Sequence, residues 1–410
     1  MNGGYFCSPW PAEDGGPARL QIPCEGPELA LQPGELLGCT TRHARLSTMT
    51  VLGAPGEVFV LTQSALRVRL GFAATACVER IDPITLKTLS RSPRLPGGPL
   101  WPGGLAVHRN GHLVVVYGRY AHLLRRDCTP IASFQLPING AYSAFVVLEN
   151  GLLVTKNLSD TTAAHLTVLD PDTLRPVCGN AISPEPSIAG LSAIGNTVYV
   201  VGVKSIFRYH WSDVLLRLEF DPGWRFDYTH QTKQTYGWDV VLDGRNAWFM
   251  DNGKRGGGVS KTSNRLIRVS LADCADISVR TISGLPKGSV TNPPLYDLER
   301  NIVVAYDSAN AYLAAWHFEP ASHGFTLLWV KKNFACASHM LLYPKTGQLL
   351  VNDNSDGCEE VVLLNIDTGT EIGRIRSGGS TEGAVFPGAG WNRDVYWSSR
   401  GRLVRLFVRD

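Results

Sequence analysis

Imidazole and carboxylate side chains stand at the boundaries of several apolar runs in this sequence. His339 opens one apolar run, Asp239 precedes a second, and Glu382 precedes a third. A neutral imidazole acts as a general base, and a carboxylate acts as an acid, a base or an oriented anion. These three residues are therefore our candidates for catalysis, provided that the fold brings distant segments together. A histidine in such a run is often a satisfied core residue, and that alternative stays open.

The same residue types would also bind a metal ion. His339 and Glu382, together with Asp251 and Asn352, would supply one nitrogen and several oxygen ligands from separate segments. A set that mixes imidazole, carboxylate and amide groups suits calcium or a similar hard divalent cation, which polarises a carbonyl group or activates water. Polar residues at strand ends also satisfy backbone groups and channel water, and this second explanation remains open.

Aromatic side chains are crowded into one segment that leads directly to Asp239. The alternation Trp224-Arg225-Phe226-Asp227-Tyr228 is typical of a strand with one apolar face, so packing explains it as well as substrate binding does. Rings at a channel mouth would bind an apolar or aromatic substrate and exclude water. The candidates for substrate binding are Tyr142, Lys156, His230, Tyr236, Trp238 and Asn292, with Asn252 and Asn352 as orienting groups.

A repeated pair of apolar runs, joined by a tight turn, organises the whole chain. Asn-Gly and Asp-Gly turns favour β-hairpins, and a period of about 40 to 56 residues is typical of a four-stranded propeller blade. We therefore predict an all-β protein with the fold of an eight-bladed β-propeller, with seven blades as the alternative. The turns lie at Ala54-Pro55-Gly56, Arg109-Asn110-Gly111, Glu149-Asn150-Gly151, Gly195-Asn196, Asp243-Gly244-Arg245, Glu299-Arg300-Asn301, Lys345-Thr346-Gly347 and Asn392-Arg393-Asp394.

The last repeat supplies three strands, so one strand is missing from it. Residues 18–22 form a short alternating run that would serve as that strand. Closing the ring with a strand from the other terminus removes two open sheet edges at once. We expect residues 1–44 to be an N-terminal arm that contributes the closing strand, and residues 45–410 to be a single propeller domain.

The propeller geometry explains why distant residues would meet. The innermost strand A of a blade runs along the central channel, and strand B returns to the face where A began. The start of A and the end of B therefore lie at one channel mouth. His339 and Asp239 open A strands, whereas Lys156, Asp251 and Asn352 end B strands. A polar mouth above an apolar body is the usual form of a small-ligand site.

The turns between third and fourth strands carry an Asp and a Thr, as in residues 82–85, 170–173 and 367–370. With these Asp/Thr/Gly turns, residues 45–408 resemble the superfamily of six- to eight-bladed propellers that includes quinoprotein-like, YncE-type and lactonase-type repeats. The lactonase-type resemblance implies acidic and amide side chains at the channel, and the quinoprotein-like resemblance implies a dehydrogenase with a bound quinone. Quinoprotein blades usually carry a tryptophan after the turn glycine, whereas Gly369 is followed by Thr370.

Composition argues against several classes of protein. Lys and Arg number 39 against 36 Asp and Glu, so no excess charge favours nucleic acid or an anionic membrane. No run of 18 apolar residues predicts a membrane span, and the amino terminus lacks the pattern of a secretion signal. The nine cysteines show no C-x-x-C spacing, which indicates reduced thiols and a cytoplasmic location. A Cys7–Cys24 or Cys24–Cys39 disulfide stays open.

These observations lead to three hypotheses of function. The first is an enzyme that acts on a small organic ligand, apolar, aromatic or lactone-like, at the channel mouth. Its chemistry would be metal-assisted hydrolysis or an acid–base lyase or isomerase reaction, because the sequence has no G-x-S-x-G or P-loop pattern. The second is a non-catalytic scaffold, which predicts an exposed apolar or charged patch and no convergent ionisable cluster. The third is a quinoprotein-like dehydrogenase.

Overall fold

The computed structural model consists almost entirely of β-strands, arranged as eight sheets around one axis. Each sheet has at least four strands, named A to D from the axis outward, and paired strands are antiparallel. The predicted all-β, eight-bladed β-propeller is therefore confirmed. The structure describes residues 3–44, 46–64, 70, 72–99, 101–229, 234–253, 255–256, 259–260, 262–380 and 386–409.

Blades 1 to 4 follow one another along the first half of the chain. In blade 1, strands A to D are Ser47–Leu52, Val58–Gln63, Ala74–Ile81 and Thr88–Arg91, and Leu95–Gly98 also pairs with C. In blade 2 they are Gly104–Val107, Leu113–Tyr117, Tyr120–Leu124 and Pro130–Gln135. In blade 3 they are Tyr142–Val147, Leu153–Asn157, His165–Leu169 and Ala181–Ile182. In blade 4 they are Leu191–Ile194, Thr197–Val201, Ser205–Ser212 and Arg217–Asp227.

Blades 5 to 8 complete the ring. In blade 5, strand A has two parts, Gln234–Gly237 and Val241–Leu242, followed by Asn246–Gly253, Arg265–Ser270 and Ile277–Thr281, and a small hairpin pairs Arg255–Gly256 with Val259–Ser260. In blade 6 the strands are Leu295–Asp297, Ile302–Asp307, Tyr312–Glu319 and Gly324–Lys332. In blade 7 they are Leu341–Tyr343, Gln348–Asp353, Glu360–Asn365 and Glu371–Arg376. In blade 8, A to C are Pro387–Ala389, Asp394–Ser399 and Arg402–Arg409.

Local turn chemistry and burial explain the blades, as blade 3 shows. The amide of Leu152 donates to the side chain of Asn150 at 3.0 Å, and Gly151 has a φ of 95°, which glycine adopts without strain. Strand B, Leu153–Asn157, is buried at every position. A strand that lies between two neighbouring blades is covered on both faces, so its apolar run does not alternate.

The ring is closed by a strand from the amino-terminal region, as expected, but the segment is different. Leu36–His43 pairs antiparallel with Arg402–Arg409 along its whole length and forms strand D of blade 8. The prediction that residues 18–22 supply this strand is wrong. Arg19 and Gln21 have φ values of 54° and 59°, in the left-handed region that no β-strand accommodates. The division into residues 1–44 and 45–410 stays a prediction.

Residues 3–35, here called the arm, lie across one end of the channel and contact all eight blades. Main-chain hydrogen bonds join Trp10 O to Leu52 N, Phe6 N to Val107 O, Pro17 O to Ala193 N, Ala18 O to Leu242 N and Gln21 O to Leu342 N, at 2.7 to 2.9 Å. Side-chain hydrogen bonds add Tyr5 with Val147, Gln21 with Pro294 and Arg393 with Leu29. The face with the A–B and C–D turns is therefore called the arm face.

Helices and disulfides contribute little to the fold. The described residues contain two 3₁₀ helices of three residues each, Glu13–Gly15 and Ser308–Asn310. No helix in this described part of the chain is long and apolar enough to cross a membrane. In the described part of the chain none of the nine cysteines is joined in a disulfide, so the Cys7–Cys24 and Cys24–Cys39 disulfides are not formed. The cytoplasmic location stays a prediction.

Candidate functional site

The arm places a pair of acidic residues close to the propeller axis. The 3₁₀ turn Glu13–Gly15 contacts the A strands of blades 1, 2 and 8. Asp14 has left-handed backbone angles, φ 53° and ψ 25°, which cost a non-glycine residue about 1 kcal/mol or more. Such a conformation persists only where other contacts hold it, and the contacts of Asp14 come from both blade 7 and the arm.

His339 and Asp14 form a buried pair at the start of strand A of blade 7. Nδ1 of His339 donates to Oδ1 of Asp14 at 2.7 Å, and both residues are about 2 % exposed. The centre of the imidazole ring also lies 4.2 Å from the centre of the Phe386 ring, and Phe386 directly precedes strand A of blade 8. The predicted candidate His339 is therefore at the axis, but its Nδ1 is committed to a residue of the arm.

Arg19 is the centre of the charge network around this pair. Its guanidinium donates to Glu13 and, at 2.9 Å, to Asp14, and it lies 3.3 Å from Oδ2 of Asp239. Its Nε donates to the carbonyl of Leu191 at 2.9 Å. The second predicted catalytic residue, Asp239, is thus joined to His339 through Arg19 and Asp14. The structure brings these two candidates into one network, with the arm between them.

Lys156, a predicted substrate-binding residue, belongs to the same buried region. Its Nζ donates to the carbonyl of Ser187 at 3.2 Å, and the residue is 2 % exposed. Burial lowers the pKa of Lys156 to about 7, Asp239 opposes this shift, and the positive charge of Arg19 adds to it. Lys156 is therefore largely neutral in slightly basic solution, and little of its surface is available to a ligand.

The pKa values of the arm residues reflect the same balance of burial and charge. Burial raises the pKa of Glu13, and Arg19 opposes that shift without cancelling it. Burial also acts to raise the pKa of Asp14, but His339 and Arg19 outweigh burial and hold it below its ordinary value. Burial acts to lower the pKa of Arg19, yet the carboxylates of Glu13, Asp239 and Asp14 raise it well above its ordinary value.

The geometry of the cluster bears directly on the proposed metal site. Among the described residues, Glu13, Asp14 and His339 form a group whose ligand atoms lie within 4.8 Å of one another. Arg19 contacts both carboxylates of this group, so a guanidinium already supplies the positive charge that a metal ion would bring. A divalent cation would have to compete with a fixed, hydrogen-bonded arginine.

The other predicted metal ligands are engaged within their own blades. Oδ1 of Asp251 accepts from the backbone amide of Arg265 and Oδ2 from its guanidinium, and burial raises the pKa of Asp251 to about 6 although Arg265 opposes it. Oδ1 of Asn352 accepts from the backbone amide and hydroxyl of Ser338. Both side chains satisfy local backbone groups, which is the second explanation given above for polar strand ends. Glu382 lies outside the described residues.

The remaining predicted substrate-binding residues have structural contacts of their own. The hydroxyl of Tyr142 accepts from the backbone amide of Ile138, and the amide group of Asn292 donates to the carbonyl of Ala337. Tyr236 and Trp238 are half-buried and pack edge to face at 6.1 Å, as expected for aromatic packing. Asn252 accepts from the amide of Val290. His230 lies outside the described residues.

The 3₁₀ turn of the arm borders a small cavity. A cavity of about 10 Å³ lies between the arm, at Tyr5, Ala12 and Arg19, and strand A of blade 2, at Gly104–Val107. This volume holds at most one water molecule. The predictions from sequence missed Glu13, Asp14 and Arg19 altogether. The signal that pointed to them was two adjacent acids and one arginine within a Pro- and Gly-rich segment, residues 11–19.

A second feature, far from the axis, is an apolar turn on the arm face. Residues 213–216, here called the blade 4 tip, join strands C and D of blade 4, and Val214, Leu215 and Leu216 are 90, 51 and 54 % exposed. The amide of Leu215 donates to the hydroxyl of Ser212 at 3.2 Å, and Trp211 Nε1 donates to Asp213 at 2.8 Å. The equivalent turns of blades 1, 3 and 7 are instead capped by Asp82, Asp170 and Asn365.

Solved structures share this fold at low sequence identity. The quinohemoprotein alcohol dehydrogenase ADHIIG from Pseudomonas putida HK5 matches with a TM-score of 0.64 and 10 % identity, over 100 % of this chain and 80 % of that chain. Raptor from Chaetomium thermophilum matches with a TM-score of 0.50 and 11 % identity, over 91 % of this chain and 28 % of that chain. At such identities the likeness shows the fold alone. Neither a protein-family profile nor a curated protein matches this sequence.

Proposed function

We propose that this protein is a non-catalytic scaffold that holds a protein partner on its arm face. The observation that carries the proposal is the position of Arg19 at the axis. The acidic residues that converge there, Asp14 and Asp239, are bound by this arginine of the same chain. In this proposal, the network serves to lock the arm into the ring.

The burial of the cluster weighs against the enzyme hypothesis. His339 and Lys156 are each 2 % exposed, and the cavity beside Glu13 and Arg19 is too small for an organic substrate. A general base must come within hydrogen-bond distance of the substrate, and His339 uses its Nδ1 for Asp14. The scaffold hypothesis expected no ionisable cluster at all; the cluster exists, but its charges are paired with one another. A dehydrogenase activity would rest on fold likeness alone.

The blade 4 tip supports the scaffold because it is an exposed apolar feature with a fixed shape. The Ser212 and Asp213 contacts hold the turn that presents the three aliphatic side chains, so the backbone of the turn loses little conformational entropy on binding. A small apolar anchor that enters a pocket of the partner contributes most of the energy at many interfaces. The polar turns of the neighbouring blades would then form the rim of the contact.

The test compares two substitutions on the same face. Val214→Asp combined with Leu215→Asp places charges at the blade 4 tip. Ile84→Asp is the control, because it also replaces an exposed aliphatic side chain by a charge, but in the turn of blade 1. Tagged full-length chains are expressed in their source cells, cross-linked and purified. We expect one partner at fixed stoichiometry with the wild type and with Ile84→Asp, and its loss with the double variant. Retention of the partner by the double variant, or a wild type without a partner, would contradict the proposal.

A further inference from the structure

Blade 8 has a groove that is lined by three arginine side chains. None of these arginines belongs to the charge network around Arg19 at the axis. The groove is open to solvent and has a volume of about 530 Å³, within the range of small-molecule sites. It lies at the arm face, between the A–B turn and the end of strand C. Its lining residues are Asn392, Arg393, Arg405, Phe407, Val408 and Arg409.

The strand geometry aligns two of these arginines. Arg405, Phe407 and Arg409 alternate along strand C, so their side chains emerge on one face of the blade. Nε of Arg405 donates to Asp394, and the guanidinium carbon lies 4.9 Å from the centre of the Phe407 ring. The Arg405 side chain is only 11 % exposed. It is therefore held in place before any ligand arrives, which reduces the entropy that binding would cost.

The third arginine is held by the arm. Arg393 donates to the carbonyls of Leu29 and Ala30 and pairs with Glu35 at 2.7 Å. Its side chain remains 38 % exposed toward the groove. The guanidinium of Arg393 therefore lines the groove in a position that its contacts with the arm fix.

Among the residues that the structure describes at the groove, positive charges outnumber negative ones. Three guanidinium groups face two carboxylates, Glu35 and Asp394, which leaves one positive charge in excess. Arg409 is exposed, and no carboxylate of the residues that the structure describes pairs with it. Its guanidinium is therefore available to an anion, as the Asp-bound Nε of Arg405 is not.

We propose that this groove binds the phosphate group of a small organic phosphate. Guanidinium groups present a planar fork of donors that matches phosphate oxygens, and pairs of this kind are among the stronger hydrogen bonds in proteins. The groove is larger than a bare phosphate needs, so the organic part of the ligand would lie against Phe407 and Val408. The proposal is independent of the scaffold function, because it uses a different part of the arm face.

Binding is measured by calorimetry with the full chain at constant ionic strength. The ligands are adenosine monophosphate, glucose 6-phosphate and inorganic phosphate, with adenosine and glucose as neutral counterparts. We expect the two organic phosphates to bind with dissociation constants of about 1 mM or lower, inorganic phosphate to bind more weakly, and the neutral compounds not to bind. Binding of one organic phosphate but not the other would still support the phosphate contact and would identify the preferred organic part.

Two variants decide whether the groove is responsible. Arg409→Gln removes an exposed guanidinium and should weaken binding about tenfold without loss of stability. Arg217→Gln removes an exposed arginine of blade 4, 61 % exposed, and should leave binding unchanged. Equal binding by wild type and Arg409→Gln would overturn the proposal, as would equal affinities for phosphorylated and neutral compounds. If Arg409→Gln lowers stability, Arg409→Lys serves in its place, because lysine keeps the positive charge but lacks the planar set of donors of a guanidinium group.

Discussion

Oδ1 of Asp14 accepts a hydrogen bond from Nδ1 of His339 at 2.7 Å, although 325 positions separate the two residues in the chain. The contact joins the arm to blade 7 at the axis of the propeller. The second oxygen of Asp14 accepts from Arg19, which in turn reaches Asp239 between the two parts of strand A of blade 5. One carboxylate of the arm therefore connects blade 7 directly, and blade 5 through Arg19.

Asp14→Ala should lower the free energy of unfolding by about 3–5 kcal/mol, because it leaves Arg19 and His339 buried without their common partner. Urea unfolding measures the change. Asp172→Ala, at an exposed turn of blade 3, is the matched control and should change stability by less than about 0.5 kcal/mol. In a double-mutant cycle with His339→Ala, the two effects should be clearly non-additive. Additive effects would show that the contact between Asp14 and His339 contributes nothing to the free energy of unfolding.

The same carboxylate should make stability sensitive to acid. His339 and Arg19 outweigh burial and hold the pKa of Asp14 below its ordinary value, so the contribution of Asp14 is complete above about pH 4 and is lost as the pH falls further. Unfolding curves of the wild type and Asp14→Asn should therefore differ at pH 7 and converge in acid. A constant difference down to about pH 2 would contradict this assignment.

Gly190→Ala should loosen the arm without removing a charge. A Cβ atom at position 190 would lie 2.6 Å from Nη2 of Arg19 and 2.9 Å from Oδ2 of Asp239, so one of these side chains must move. We expect a loss of about 1–3 kcal/mol in the free energy of unfolding. Gly179→Ala is the matched control, because a Cβ atom there meets no atom within 4 Å. Equal stability of the two variants would mean that Arg19 has room to rearrange.

The fold was predictable because its signals are local. Turns such as residues 149–151 specify a hairpin from three residues, and the same pattern recurs at a regular spacing. The choice of closing strand was not local. Residues 18–22 alternate like a strand, whereas the pairing of Leu36–His43 with Arg402–Arg409 depends on the other end of the chain. Alternation alone does not distinguish an arm from a strand.

The site was predictable only in part, for a related reason. Strand order placed His339 and Asp239 at the axis, and both lie in the network there. The groups that join them belong to the arm, whose path depends on left-handed residues that are not glycine, Asp14, Arg19 and Gln21. No local pattern marks such residues, because long-range contacts impose their conformation.

Lys156→Met should stabilise the protein at neutral pH by about 1–4 kcal/mol, since it keeps the packing of the side chain and removes a buried amine. Burial lowers the pKa of Lys156 to about 7 in the folded protein, whereas the unfolded chain holds this proton up to about pH 10.5. Between these values the unfolded state binds more protons, so the wild-type free energy of unfolding should rise by about 1.4 kcal/mol per pH unit from this group.

Urea unfolding at pH 7 and pH 9 measures the Lys156 effect. The advantage of Lys156→Met should shrink at the higher pH, because the cost of the buried amine is complete below pH 7 and is relieved as the pH rises. Lys332→Met, at an exposed position at the end of blade 6, is the control and should show the same pH dependence as the wild type. An unchanged advantage at both pH values would mean that Lys156 keeps its proton in the folded protein up to pH 9, so that burial does not lower its pKa as described.

Asp170→Ala should cost about 1 kcal/mol, because the turn of blade 3 uses this carboxylate as a cap. Oδ1 of Asp170 accepts from the amide and the hydroxyl of Thr173, both at 2.8 Å. Asp170→Asn should retain most of the stability at neutral pH, since Asn365 makes the same contacts with Thr368 in blade 7. Thermal unfolding distinguishes the variants. If Asp170→Asn is as unstable as Asp170→Ala, the charge matters more than the acceptor, and the equivalence of the two turns fails.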